Sequence, residues 1–423
     1  MDDSTLSRRG FLATSGMAAL MTMGAPGRAE DSPEDAVRIG VIGVGARGTG
    51  LMQIMLGLPG VTVPAICDIN EAHLNRGIQI VETLHGNTPA GYTGGPYDYR
   101  NMLERDDLDA VLIATPAVYH AVMAVDAMEA GMHAGSEVPG GVDMDECWAL
   151  VRAKEETGKR YMLLENYNYT RERMMITNMV EKDVVGEPFY AECSYIHNVN
   201  SLSFHSDGSS TWRGEARTWG FGNLYPTHAL GPVSKWMGIN ETDRFVSLVS
   251  MESKPAGFKR FVADRFGEDS PQAQTEWTIG GMNVTLIQTE QDRLITVYYD
   301  TNSPRPADIF YLLQTDIGIY DSRNGIHLPG RGGSGPWSPW TDFLEQYDHD
   351  YWRTRGEEAA QTGHGGGDYF VMSDFVDMVR HDEEPSIDVY DSAAWSAVIP
   401  LSQESIRNGN SSVDFPDFMA NRA

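Results

Sequence analysis

The chain has 423 residues, 41% hydrophobic and 22% charged, the balance of an ordinary globular protein and not of a disordered one. Its 32 lysines and arginines stand against 60 aspartates and glutamates, a formal net charge of −28. So acidic a surface repels phosphate backbones and argues against nucleic acid as the main partner. Cys67, Cys147 and Cys193 are widely spaced and make neither a disulfide framework nor a zinc pattern, and no metal is expected.

In chain order, the first feature is Arg8-Arg9 directly before Gly10-Phe11-Leu12, followed by a modestly apolar stretch and small residues at Ala25, Gly27 and Ala29. The apolar run is shorter than the roughly 20 residues a bilayer demands, so no membrane anchor is expected. A paired arginine in this context is the twin-arginine signature, which predicts a signal peptide over residues 1–29 and export to the periplasm or beyond. Residues 30–36 (EDSPEDA) read as a polar linker.

From Val37 the chain reads VRIGVIGVGARGTGLM, an apolar strand running into Gly43, Gly45 and Gly48 and then a helix-like stretch. A loop of this kind lets backbone N–H groups and a helix N-terminus hold a pyrophosphate. A second strand over 61–67 ends at Asp68, about 20 residues after the third glycine. There a carboxylate can accept from ribose hydroxyls, favouring NAD over NADP, or it can simply cap the next helix. A third strand over 108–114, a helix over 121–130 and a further extended run from His133 continue the alternation. The pattern predicts a doubly wound parallel sheet of the Rossmann type over residues 37–160.

Residues 161–423 read as an α+β domain. Strand-like runs at 189–194, 245–250, 275–279, 283–289, 294–299 and 309–314 alternate as a mostly antiparallel sheet with one covered face would. Such a sheet offers a floor for a substrate pocket and a face for homo-oligomerisation. A helix over 392–407 is expected to pack back on the first domain. Repeats, heptads and low-complexity tracts are not evident, and the glycine-rich stretches 328–335 and 363–367 read as ordered turns near the site or, alternatively, as disordered loops. His228, in Tyr225-Pro226-Thr227-His228 after a Gly-Asn turn, stands at a predicted helix start. Histidine can take a hydroxyl proton near neutral pH, although a lone histidine is more often structural.

The strand-GxGxxG unit, the Ile-Cys-Asp ending of the second strand, the ATP-x-x-x-H segment ending at His120 and the Glu137-Val138-Pro139 segment together resemble the Gfo/Idh/MocA oxidoreductases. SEVPGGV from Ser136, LENYNY from Leu164, GNLYPTHALGPV from Gly222, DTNSPRP from Asp300, GHGGGDYFV from Gly363 and the IDVYDSAAWSAV stretch from Ile387 resemble, more closely, glycoside hydrolase family 109. That family comprises NAD-dependent α-N-acetylgalactosaminidases. Ordinary members of the superfamily carry Glu-Lys-Pro, whereas position 138 here is Val138. Many also place an aspartate four residues before the histidine, where this chain has Leu224. Both departures fit the glycosidase branch. A third departure is Ala307, where family 109 usually has a tyrosine that touches the sugar, which predicts altered or relaxed sugar specificity.

The resemblance implies that NAD is held by the glycine loop with Ala46 and Arg47, by Asp68, by Ala117, Val118, Tyr119 and His120, and by Glu137, Val138 and Asn166. It implies a carbohydrate substrate touched by Tyr195, Arg213, Tyr225, Pro226, Thr227 and His228, with His228 as base and Tyr195 moving the proton at carbon 2. Each position also has a plain reading: Tyr195 as a strand residue over the core, Arg213 as a surface arginine of a loop over 205–220. His364 is a further candidate near the pocket. The implied cycle oxidises carbon 3, releases the carbon 2 proton and the glycosidic oxygen, adds water and reduces carbon 3 again. It is redox-neutral, which suits an exported enzyme with no NAD pool outside the cytoplasm. An oxidoreductase with a non-dissociating NAD(P) is the alternative, and a sugar-binding protein that lost its chemistry is the third reading.

Overall fold

The computed structural model describes residues 36–330 and 335–420; the segments expected to be an export signal and, nearly all of it, a linker lie outside the described residues, as does part of the 328–335 stretch. The first sheet is wholly parallel, in the order Ala90–Tyr92, Ala65–Cys67, Val37–Ile42, Ala110–Ile113, His133–Ser136, Tyr161–Leu163. Ile39, Val41, Val111, Leu112, Ala134 and Leu163 are fully buried. Continuous apolar strands of this kind belong to a sheet covered on both faces. Tyr161–Leu163 pairs in this sheet, so the first sheet runs past the boundary expected at residue 160.

The expected strand over 61–67 is divided. Val61–Thr62 pairs with Val37 and Arg38, Ala65–Cys67 pairs farther along the same strand, and Val63-Pro64 interrupts them. Pro64 has no N–H to give to a ladder. The helix Glu71–His85 starts at Asn70, whose side chain accepts from the N–H groups of Ala72 and His73, so Asn70 and not Asp68 is the cap.

The second sheet has the order Gly325–His327, Ile319–Asp321, Tyr311–Thr315, Pro188–Ile196, Leu294–Asp300, Asn283–Thr289, Phe245–Glu252, Val413–Asp414. It is antiparallel except where Pro188–Ile196 runs alongside Leu294–Asp300. The run 275–279 is not a strand. The N–H groups of Thr278 and Ile279 go to the carbonyl of Arg217 at the end of the helix Trp212–Trp219, so they are spent off any ladder. Trp277 and Ile279 instead join Phe204, Phe258 and Val262 in a small separate core.

The helix Val389–Arg407 packs between the helix Met144–Thr157 and the strand Phe245–Glu252. Fourteen of its side chains are buried, because it touches both sheets' layers. Its serines reach out to loops: Ser396 Oγ accepts from Gly140 N at 3.1 Å and Ser402 Oγ from Asn223 N at 2.9 Å. The helix Gly367–His381 likewise returns to lie on Ala46–Leu56. Among the described residues no helix is long and apolar enough to cross a membrane, and the three cysteines are buried and free.

Candidate active site

The glycine loop is shaped by contacts that leave no space for side chains. A Cβ on Gly48 would lie 1.9 Å from the Gly43 carbonyl oxygen, and Gly43 has φ +87° with its own Cβ position 2.8 Å from Ala114 O. Gly45, by contrast, faces open space. It is also the first residue of the turn into the helix Ala46–Leu56, whose first N–H groups no side chain caps. That combination of a close-packed backbone, an open glycine and an uncapped helix start is what a pyrophosphate requires. Asp68 accepts from Val44 N and Asn70 N, both at 2.8 Å.

A cavity of about 580 Å³ runs over this loop, lined by Gly43, Gly45, Ala46, Arg47 and Asp68 and then by Ala117, Tyr119, His120, Glu137 and Val138. Gly48 lies beneath it and Val118 faces the neighbouring cavity. Both ring nitrogens of His120 lie 2.8 Å from carbonyl oxygens, of Thr115 and Pro139, so the ring is a wall. Arg47 donates to Glu137 and to Asp368, each at 2.8 Å, tying the loop to the helix Gly367–His381. Asn166 donates to Asp368 at 2.7 Å, and its buried amide oxygen has no protein partner. Asn166 lines neither this cavity nor its neighbour; the loop and the carboxylate at the strand end, which do line this one, fit NAD.

The second cavity, about 450 Å³, shares Pro116, Ala117, Tyr119, Arg213 and Tyr225 with the first and adds Tyr195. Arg213 is not in a loop; it lies on the helix Trp212–Trp219, which Thr211 caps, and its guanidinium sits 4.1 Å from the centre of the Trp212 ring. Ala307 is exposed and lines neither cavity.

His228 stands on the first turn of the helix Thr227–Trp236, 8% exposed, with its ring 4.7 Å from that of Tyr167, 5.1 Å from Tyr225 and 5.2 Å from Tyr195. Its Nδ1 lies 2.7 Å from Oε1 of Glu165, just beyond the strand Tyr161–Leu163. Glu165 is fully buried and also accepts from Tyr167 N, Asn168 N and the Asn168 amide. A carboxylate ringed by donors fixes the proton on Nδ1 and leaves the Nε2 lone pair free, the tautomer a base needs. Pro226 and Thr227 are buried and set the helix start; like them, His228 lines neither cavity and stands behind the wall, against the rings of Tyr195 and Tyr225. Burial pushes the Tyr195 hydroxyl well above its usual range, with Arg213 acting the other way. His364 lies beyond Tyr167, ring to ring at 6.2 Å, and bonds Asp368 at 2.9 Å. It lines a third, smaller cavity and neither of the first two.

Glu165 is the residue that reading the sequence passes over. It sits in the LENYNY segment, but no spacing relates it to His228. The position four residues before the histidine is Leu224, so the acid partner comes from the other half of the chain. Among the described residues no group of three or more His, Cys, Asp or Glu side chains could hold a metal ion.

This two-sheet architecture, with a glycine-loop cavity opening into a second one, is that of the Gfo/Idh/MocA oxidoreductase class. Residues 37–165 match the oxidoreductase family with an NAD-binding Rossmann fold, and residues 169–422 match the glycosyl hydrolase 109 C-terminal domain. A glycosyl hydrolase family 109 protein of Shewanella pealeana is 39% identical over 98% of this chain and 96% of its own length. An alpha-N-acetylgalactosaminidase of Shewanella oneidensis is 39% identical over 91% of this chain and 85% of its own. Levoglucosan dehydrogenase, solved with NADH and L-sorbose, shares the fold at a TM-score of 0.69 and 18% identity, covering 91% of this chain and 100% of that one. The chain belongs to glycosyl hydrolase family 109 and is a glycosidase with an NAD-binding Rossmann domain.

Proposed function

We propose that the protein hydrolyses α-linked N-acetylgalactosaminides or closely related glycosides in a redox-neutral cycle, exported with its cofactor already bound. The observation that carries this reading is the His228–Glu165 pair set among three tyrosines beside two joined cavities.

The residues that would hold NAD are the glycine loop, Asp68, Ala117, Tyr119, Glu137 and Val138, with Asn166 behind them, bonded to Asp368. When bound, NAD supplies a reversible two-electron oxidation at one sugar carbon, which makes the hydrogen on the neighbouring carbon acidic. His228 Nε2 takes the proton from the carbon 3 hydroxyl and later returns it, while Glu165 holds the ring and balances the charge it acquires. Tyr195 moves the carbon 2 proton in this reading, supported by Arg213, the charge that favours its ionised form. Tyr225 shares this wall and is the partner for the substrate hydroxyls. Two flanking carboxylates, the common glycosidase arrangement, are not needed, since NAD-dependent families are exceptions to it. Val138, where ordinary dehydrogenases carry a lysine, supports hydrolysis over net oxidation.

The paired arginines Arg8 and Arg9 support export by the twin-arginine route, which carries folded proteins. A second copy covering the open face of the second sheet is supported by Met251, Leu286 and Leu294, exposed on it. Gently purified protein should release NAD on denaturation. It should cleave 4-nitrophenyl N-acetyl-α-galactosaminide with no net change in nicotinamide absorbance, and with solvent deuterium entering at carbon 2. Hydrolysis without that exchange removes the reading.

A further inference from the structure

The second cavity contains two positive charges that the reaction just described leaves half unused. Arg213 and Arg217 lie one turn apart on the helix Trp212–Trp219, and both line the cavity. Like charges at this spacing repel. Among the described residues neither has a carboxylate within ion-pair distance, in a chain carrying 60 acidic residues. Arg217 is 4% exposed. One of its terminal nitrogens reaches only the Thr301 carbonyl at 3.4 Å, and the other, Nη1, has no partner. Its guanidinium lies 4.4 Å from the centre of the Phe258 ring. Burial pushes this guanidinium down to about 10, with Arg213 adding to the effect, yet it remains charged at neutral pH.

A buried, unpaired guanidinium is a standing cost to the fold, and buried charges are ordinarily paired. Arg47 shows the ordinary solution in the same molecule, with a carboxylate on each side. The acid on the Arg217 helix, Glu215, is exposed and makes no such pair. Glu215 also lines the cavity, at its exposed side, and the rest of the wall is largely apolar, with Tyr195, His197 and Tyr299 as further hydrogen-bonding groups.

We propose that the substrate carries a compact acidic substituent, a carboxylate or a sulfate ester, that docks against Arg213 and Arg217 in the second cavity. Both groups present oxygens that a planar guanidinium fork can hold in pairs. Because Tyr195, Arg213 and Tyr225 line this cavity, the acidic group and the reacting sugar belong to one molecule. This inference rests on the glycosidase reading and narrows it from neutral to acidic glycosides.

The NAD-loaded full chain is titrated calorimetrically with sodium sulfate and, separately, sodium acetate, each against sodium chloride of equal ionic strength. Saturable binding in the millimolar range is expected for at least one of them, and which one binds separates sulfate from carboxylate. Arg217→Met, which keeps an apolar side chain against Phe258, should weaken that binding about tenfold or more. Its ligand-free form should melt no lower than wild type, because an unpaired buried charge has gone. Arg217→Lys should fold and bind with intermediate affinity. The ratio of kcat/KM for the 6-sulfate of 4-nitrophenyl N-acetyl-α-galactosaminide over the unsulfated compound should be about ten or more in wild type, and near one in Arg217→Met. Absence of saturable binding, equal binding by Arg217→Met, or an Arg217→Met protein that fails to fold overturns the proposal. Cleavage of the neutral glycoside alone would do so while leaving the glycosidase reading intact. Saturable anion binding with neither glycoside cleaved upholds the anion site and counts against that reading.

Discussion

Glu165 Oε1 and His228 Nδ1 lie 2.7 Å apart, although 63 residues separate them in the chain. The carboxylate comes from the turn after the last parallel strand and the imidazole from a helix of the second half. The pair therefore exists only when the two halves are docked.

Replacing Glu165 with Gln keeps the shape and removes the charge that supports a protonated imidazole. The expected outcome is a fall in kcat of about 10²- to 10⁴-fold with little change in KM. Steady-state kinetics with a neutral aryl glycoside measures it, and nitrogen NMR of the ring reads the tautomer. A loss confined to KM would show that Glu165 merely shapes the pocket.

Tyr195→Phe and His228→Ala should fail differently. Without the phenolic hydroxyl, deuterium exchange at carbon 2 should disappear while NAD stays bound. Without the imidazole, both exchange and transient reduction of the cofactor should be lost. Rapid-scan absorbance and mass spectrometry of recovered sugar distinguish the two. Exchange that persists in Tyr195→Phe assigns the carbon 2 proton to another group.

Gly45→Ala and Gly48→Ala test the cofactor loop from opposite sides. The new methyl at 45 enters open space, so the protein should fold and bind NAD more weakly. At 48 it meets the Gly43 carbonyl at 1.9 Å, so the loop itself must shift and the melting temperature should fall. Differential scanning calorimetry with and without added NAD separates the effects: only Gly45→Ala should melt normally in its absence.

Asp368 gives a pH dependence with a definite sign. Burial works against its ionisation, but hydrogen bonds from His364 and Arg47 outweigh this and hold its carboxyl well below the usual carboxylate range. A group depressed in the folded state contributes its full stability above the unfolded value, near 3.8, and loses it as pH falls from there toward the folded value. Wild type should therefore be more stable than Asp368→Asn at pH 6, and the gap should narrow below about pH 4. Urea melts across that range measure it, and a gap that widens in acid would contradict the assignment.

Much of the fold was legible because it is written in local periodicity. The strand 283–289 is found at the expected bounds, and the Val37 strand leads into its glycine turn as read. The C-terminal helix begins three residues before its expected start, at Val389, where Asp388 caps it. The run 275–279 misled because its alternation is real but its N–H groups are claimed by Arg217's carbonyl. The loop assigned to Arg213 hid a short helix that Thr211 caps.

The order of residues alone determined the nucleotide loop, the two kinds of sheet, the family and the candidacy of His228, since each of these is a pattern within a few dozen neighbours or a long matching segment. Only the folded chain decided that Glu165 supports His228, that Arg47 reaches Asp368 across 321 residues, and that Arg217 is buried without a counter-charge. Side-chain chemistry acts over a few ångströms, and which distant residues come that close is set by how the layers pack, which no local pattern encodes.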